Sequence, residues 1–457
     1  MNSQATQLNN CNNQLLDLKT VFNLQKAAFR ASLTTSAEQR IKHIKSLQPA
    51  LEKYLPIFEE NLREDFSCRG GAEINIVEGA ASLGGIEYHA SHVKQWMLDD
   101  EREAPEYLQP AAAKVIYQPL GVVGIIVPWN YPIYLAIGPL LAALAAGNRV
   151  MIKMSEFTPA TSESFKQMIA EIFTEDHVAV VTGGADVASK FTQLPFNHIL
   201  FTGSTSVGKH VMRAAAENLT PVTLELGGKS PVLIHESFPT NQVAERIASC
   251  KVLNAGQTCI APDYVLCQKN KIEDLIDDLR LVVSEAFPTM RDNDEYTAIV
   301  NERQFLRLKK VLRDAEDKGA SIIPINPANE DFEGTRKMPL FVILNTTEDM
   351  LIEQDEIFGP LLPVKAYESI DDALDYINAR PRPLALYYFD SNTDRADYVL
   401  RNTLSGGACI NDCINHVLVD DMPFGGAGAS GMGAYHGKEG FITFSQTKGV
   451  FLKGQAS

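Results

Sequence analysis

From about residue 114 to residue 410 the chain repeats one rhythm, a short apolar, largely β-branched run followed in several places by a helix-length segment. The first runs fall at 114–118, 121–127, 149–153, 178–181 and 199–202, with helical patterns such as 158–173 and 206–218 between them. Strands that are apolar along their whole length are buried on both faces, and strand–helix–strand connections are what a parallel sheet requires. After Gly228 the alternation resumes with strands at 231–235 and 264–267 and helices at 240–253 and near 271–287. Further strands follow at 340–344, 361–367, 384–389 and 407–410. The pattern predicts two α/β domains joined near 227–230, in line with the two or three domains expected of 457 residues at ~150 per domain.

The first hundred residues read differently. Ile41, Ile44, Leu47, Leu51, Leu55, Phe58 and Leu62 recur at three- and four-residue spacing and make one amphipathic helical face, with Pro49 and Pro56 as expected kinks or breaks. A second helical pattern spans about 73–97. The nearly uncharged stretch from 120 to 151 resembles a membrane span, but Pro128, Asn130, Pro132 and Pro139 interrupt it. Its final apolar run is too short for ~30 Å of hydrocarbon, so it reads as a buried strand, a turn and a buried helix. The tail beyond Pro423 reads as a glycine-rich loop and then a strand at 441–445.

Charge narrows the function. Asp and Glu number 57 against 41 Lys and Arg, a formal net charge of −16 that repels phosphate backbones and anionic lipid. A small-molecule substrate is expected, with neither nucleic acid nor membrane as partner. Seven scattered cysteines (11, 68, 250, 259, 267, 409 and 413) make no disulfide framework and point to a reducing compartment. The polar start MNSQATQLNN carries no secretory pattern and the end FLKGQAS no lipidation box, so a cytoplasmic location is expected.

Several motifs mislead. Gly426-Ala-Gly428-Ala-Ser-Gly431 matches G-x-G-x-x-G, yet no strand precedes it and no helix follows. The segment Gly203-Ser-Thr-Ser-Val-Gly208-Lys209-His210 does lie between strand and helix. It misses a P-loop because an imidazole at 210 cannot replace the hydroxyl that holds Mg²⁺. What remains there is either a plain turn or a helix N-terminus fit for a phosphate group. Cys409, Cys413 and His416 offer three metal ligands at most, and no metal site is expected.

The stronger constellation is dispersed. Cys259 follows a helix inside a Gly/Gln/Thr segment, Glu225 ends an apolar strand, and Asn130 lies in a Pro-Trp-Asn-Tyr-Pro turn after another strand. A thiol, a carboxylate and an amide suit acyl chemistry when they converge. Taken singly they are equally a buried thiol, a capping glutamate and a turn asparagine.

These segments resemble the aldehyde dehydrogenase superfamily along nearly the whole chain. Seven motifs occur in the family's order: PWNYP (128–132), KMSEFTP (153–159), FTGSTSVG (201–208), ELGGKSP (225–231), GQTCIAPDY (256–264), EIFGP (356–360) and PFGGAGASGMGAYHG (423–437). The short N-terminus, GQTCIAPDY and SGMGAYHG are most similar to the class 3 branch and, within it, to coniferyl aldehyde dehydrogenases. The resemblance implies a Rossmann-like NAD-binding domain (1–110 and 119–228) and an α/β catalytic domain (229–422). It also implies an oligomerisation arm and substrate-side loop (111–118 and 423–457). The arm would pair 111–117 with 441–445 and build a homodimer.

The resemblance makes Cys259 the nucleophile, Glu225 the base that activates water, and Asn130 with the Cys259 N–H the oxyanion donors. It puts Trp129, Lys153, Glu156, Gly203, Ser204, Gly208, Glu356 and Phe358 at the cofactor. Lys153 and Glu156 would meet the adenosine ribose, Glu356 the nicotinamide ribose, and Ser204 with the helix N-terminus the pyrophosphate. A carboxylate at 156 accepts from a 2′-OH and repels a 2′-phosphate, which favours NAD while Lys153 leaves NADP open. No basic residue lies near Cys259 in sequence, so the positive nicotinamide ring is the expected aid to thiol ionisation. His416, Tyr131 and Tyr134 are expected near the pocket, Tyr134 equally as core. The implied activity is oxidation of an aromatic aldehyde such as coniferaldehyde, or of a medium-chain aliphatic one, to the acid. The alternatives are a fatty-aldehyde enzyme of the same branch, a CoA-acylating relative, which Glu225 disfavours, and a non-catalytic relative.

Overall fold

The computed structural model describes residues 2–454, with side chains from Asp17 onward, so the Cys11 side chain lies outside what is described. Its strands, in chain order, are β1 (Asp100–Arg102), β2 (Ala111–Pro119), β3 (Val122–Ile126), β4 (Arg149–Lys153), β5 (Val178–Val181), β6 (His198–Thr202), β7 (Val222–Glu225) and β8 (Pro231–Ile234). They continue as β9 (Tyr264–Gln268), β10 (Ser321–Ile325), β11 (Leu340–Leu344), β12 (Leu361–Tyr367), β13 (Ala385–Phe389), β14 (Gly407–Ile410), β15 (Gly431–Met432) and β16 (Ser445–Lys453).

Three sheets result. The first runs β15-β7-β6-β3-β4-β5, parallel except for β15. Strand order reverses between β3 and β6, the switch point at which open α/β sheets bind ligands outside their carboxyl ends. The second runs β10-β11-β12-β9-β8-β13-β14, again parallel except at its β10 edge. The sequence passes from one sheet to the other in the five residues 226–230 between β7 and β8. The buried run that mimicked a membrane span is β3, a turn and the helix Tyr134–Ala146, whose side chains pack into the largest core cluster. Among the described residues no helix is long and apolar enough to cross a membrane.

Three expectations change. Pro49 and Pro56 do not break their helix, which runs from Ala37 to Phe66. Both prolines lie on its exposed side, where water can satisfy the freed carbonyls, while Ile44, Leu47, Leu51, Phe58 and Leu62 hold the buried face. The pattern at 73–97 is not one regular helix: Ile74–Ala80 forms a π-helical turn, with Ala81 N–H bonded to Ile76 O, before Ala81–Trp96 continues as α-helix. The tail strand begins later than expected. Residues Gly437–Thr443 are helical, which buries Phe441 against Trp96 and Tyr117, and β16 then pairs along all of β2 from Ser445↔Pro119 to Lys453↔Ala111. The two segments expected to pair are neighbours, with the C-terminal partner shifted toward the end.

Candidate active site

β3 ends in the turn that carries Asn130, buried at 3 % exposure. The turn has few backbone partners of its own. Glu78 Oε2 accepts the N–H groups of Ile133 (3.0 Å) and Tyr134 (2.8 Å). The Cys259 loop faces it. After the helix Thr240–Val252 the backbone takes three left-handed residues in succession: Asn254 (φ 49°), Ala255 (51°) and Gly256 (71°). Such geometry costs ~1–2 kcal/mol per non-glycine residue and persists only where neighbours over-determine it. Here Asn254 Nδ2 donates to Asn130 O (3.0 Å), Gln257 Nε2 to Asn254 O (2.9 Å) and Ala298 O (3.1 Å), and Val300 N–H to Gln257 Oε1 (3.0 Å). At Gly256 a Cβ would lie 2.6 Å from Gly359 O, so only glycine fits. The two turns also meet directly, Asn130 Nδ2 donating to Gln257 O at 3.2 Å.

Cys259 and Glu225 line one cleft, whose walls include Ile76, Val77, Leu135, Ile414, Leu418 and Phe424. Glu225 ends β7 with both carboxylate oxygens buried and without a hydrogen-bond partner, and burial raises its pKa well above the carboxylate range. Burial pushes the Cys259 thiol up to about 12, the charges of Glu356 and Glu225 adding to the effect, while the backbone N–H groups of Cys259 and Ile260 oppose it. The Cys259 thiol therefore holds its proton at neutral pH. No cationic side chain contributes to the thiol's shift, in agreement with the sequence.

The residues expected at the cofactor gather at the carboxyl ends of β3, β4 and β6 and on the 356–358 turn. Lys153 is buried at the end of β4 with its Nζ donating to Met154 O and 3.8 Å from exposed Glu156. Ser204 caps the helix Thr205–Ala216, its Oγ accepting from Val207 N–H. A Cβ at Gly203 would lie 2.5 Å from the Phe201 ring and one at Gly208 2.8 Å from Leu226, so either would force that neighbour to shift. Trp129 and Phe358 meet edge to face at 5.3 Å. The Glu356 carboxyl, raised to about 8 by burial and by Asp263, lies against the Gly227–Gly228 backbone.

Tyr131 and Tyr134 line the cleft, but His416 does not. Its Nδ1 lies 3.2 Å from Cys409 Sγ and its ring stacks on Phe424, which itself forms the wall. The G-x-G-x-x-G match is a loop with β15 at its end, tying the tail to the backbone at Glu225. The six described cysteines are free. Sequence reading misses Glu73, which lines the cleft, and Glu78 and Arg69 behind it. Tyr435, inside a quoted motif but given no role, also lines it.

The family model for the aldehyde dehydrogenase family matches residues 5–450. A Pseudomonas aeruginosa protein named probable coniferyl aldehyde dehydrogenase is 54% identical over 440 residues, 96% of this chain and 92% of that one. The coniferyl aldehyde dehydrogenase of a Pseudomonas species is 46% identical, over 85% of this chain and 81% of its own. Among solved structures, the substrate-bound state of Staphylococcus aureus AldH superposes with a TM-score of 0.90 at 36% identity, covering 96% and 94% of the two chains. A Mycobacterium tuberculosis aldehyde dehydrogenase complexed with NAD⁺ does so with a TM-score of 0.87 at 26% identity, covering 97% and 92%. The chain belongs to the aldehyde dehydrogenase family and is an aldehyde-oxidising enzyme with an NAD-type cofactor.

Proposed function

We propose that this protein oxidises an aromatic aldehyde, of the coniferaldehyde kind, to the free acid through a thioester on Cys259. The observation that carries the reading is the pairing of Cys259 and Glu225 in one predominantly apolar cleft, with the Asn130 turn bonded to the Cys259 loop. The Cys259 thiolate attacks the carbonyl carbon, and the carbonyl oxygen takes up the electron pair. The Asn130 amide and the Cys259 N–H donate to that oxygen, each such donor contributing ~2.7–4 kcal/mol of barrier lowering. When bound, NAD⁺ supplies the hydride acceptor that turns the adduct into a thioester, together with a positive ring charge that favours the thiolate. Glu225 then removes a proton from water, the hydroxide adds to the thioester carbon, and the Cys259 thiolate leaves. An unpartnered carboxylate in a dry cleft suits that task, because its raised pKa makes it a stronger base than an exposed glutamate.

Residues at the sheet's switch point fit a dinucleotide. The open N-terminus after Gly203 suits a pyrophosphate, Lys153 and Glu156 suit ribose hydroxyls, Glu356 suits the second ribose, and Trp129 and Phe358 border the approach. Exposed Glu156 favours NAD over NADP. The six-stranded half then serves the cofactor and the seven-stranded half carries the nucleophile, with the β2–β16 ribbon as the arm of a homodimer in the cytoplasm. A kcat/KM panel over cinnamyl, benzyl and C4–C12 aliphatic aldehydes, read as NADH absorbance with and without CoA, tests the reading. The highest value is expected for the cinnamyl aldehyde, without need of CoA. A peak at long aliphatic chains would assign the protein to fatty aldehydes instead.

A further inference from the structure

Behind the cleft, Arg69 is fully buried and reaches both turns of the candidate site. Its Nε donates to Glu73 Oε1 at 3.2 Å, and its Nη1 lies 3.2 Å from Glu78 Oε1 as an ion pair without hydrogen-bond geometry. Glu73 in turn accepts the N–H of Asn254 at 2.7 Å, the first left-handed residue before Cys259, and the Thr297 hydroxyl at 2.7 Å. Glu78 accepts the N–H groups of Ile133 and Tyr134, just beyond Asn130. A third path passes through stacking. The guanidinium lies 4.8 Å from the centre of the Phe66 ring and 5.0 Å from that of Tyr131, whose hydroxyl is 2.6 Å from Thr258 Oγ1, next to the nucleophile.

We infer that Arg69, with Glu73 and Glu78, is the positioning device that holds the Asn130 turn and the Cys259 loop in register as the two halves of one oxyanion site. Buried ion pairs add little net stability, and apolar groups of similar volume often replace them without loss of fold. What apolar groups cannot do is accept backbone N–H groups from turns that lack ladder partners, and both carboxylates do this here. One guanidinium fork between two carboxylates fixes the distance between those turns as well as their charge. A misplacement of ~1 Å in such a constellation typically costs ~10²-fold in rate.

The inference rests on the roles proposed for Cys259 and Asn130, and the test separates the two. Arg69→Met, Arg69→Lys and Glu73→Gln are compared with the parent in kcat, KM, NAD⁺ affinity by fluorescence quenching, and the deuterium isotope effect with aldehyde labelled at C1. Arg69→Met should lose about 10²-fold in kcat/KM for aldehyde, bind NAD⁺ within twofold of the parent, and show a larger isotope effect, because acylation becomes the slow step. Arg69→Lys should recover part of the loss. Partial unfolding alone would lower the active fraction and leave KM and the isotope effect unchanged, and that result overturns the inference. If Arg69→Met does not fold, Glu73→Gln decides: it keeps an acceptor for Asn254 N–H, and a parent-like kcat/KM and isotope effect in it overturn the inference. Cys259→Ala is run alongside. Turnover persisting in that variant removes the underlying mechanism, whereas an inactive Cys259→Ala beside an unaffected Arg69→Met removes only the positioning role.

Discussion

The outer rim of the candidate cofactor site and the substrate cleft treat charge in opposite ways. At the rim, Glu156 and Ser204 stand in solvent, while Lys153, 3.8 Å from Glu156, and Glu356 lie deeper and are desolvated. In the cleft wall and behind it, Glu225 and Glu78 are buried and Glu73 nearly so, and desolvation raises the pKa of each. Exposed groups bind a hydrated dinucleotide at little cost. Buried ones are stronger bases and better-directed acceptors, at the expense of stability. The same contrast fits the two jobs proposed for these residues, holding the cofactor and moving protons and acyl groups.

The largest effect expected is at the nucleophile. Cys259→Ala should lower turnover by on the order of 10⁴-fold or more while NAD⁺ binding, measured by fluorescence, stays near the parent value. Appreciable turnover would place the chemistry elsewhere. Next come Glu225 and Asn130, which a rapid-mixing experiment distinguishes. Glu225→Gln should lose about 10²–10⁴-fold in kcat yet keep a stoichiometric NADH burst, because only hydrolysis is slowed. Asn130→Ala should lose about 10²–10³-fold and lose the burst as well. Identical burst behaviour in both would erase the distinction between acylation and deacylation roles.

Effects at the rim should be smaller. Glu156→Gln should tighten NADP⁺ binding by about fivefold, the ~1 kcal/mol typical of an exposed charge interaction, with NAD⁺ affinity nearly unchanged. Equal shifts for both cofactors would remove Glu156 from the ribose. The smallest effect concerns stability. Glu225 binds its proton more tightly folded than unfolded, so the parent loses stability as pH rises from the ordinary carboxylate value, ~4.3, through the raised folded one. Glu225→Gln lacks that loss, and its advantage in Tm over the parent should grow between pH 5.5 and 8.5. A pH-independent difference would mean that the carboxyl is not desolvated.

The alternating strands were legible because parallel strands buried on both faces have little freedom in composition, as β3 and β6 illustrate. The 441–445 segment was misread because a short apolar run does not declare its period. Burial of Phe441 against Trp96, more than 300 residues away in sequence, selects the helix. Pro49 and Pro56 looked like helix breaks because local rules ignore which face is wet.

Sequence alone determined the parallel α/β architecture and the residue types that acyl chemistry needs at 130, 225 and 259, since both follow from local pattern and motif order. Only tertiary structure decided that Arg69, Glu73 and Glu78 belong with them. Glu73 and Glu78 are five residues apart, a spacing that an α-helix turns to different faces and that the π turn at Ile74–Ala80 brings to one side. Their raised pKa values have the same origin, because desolvation depends on what the rest of the chain packs over a carboxylate.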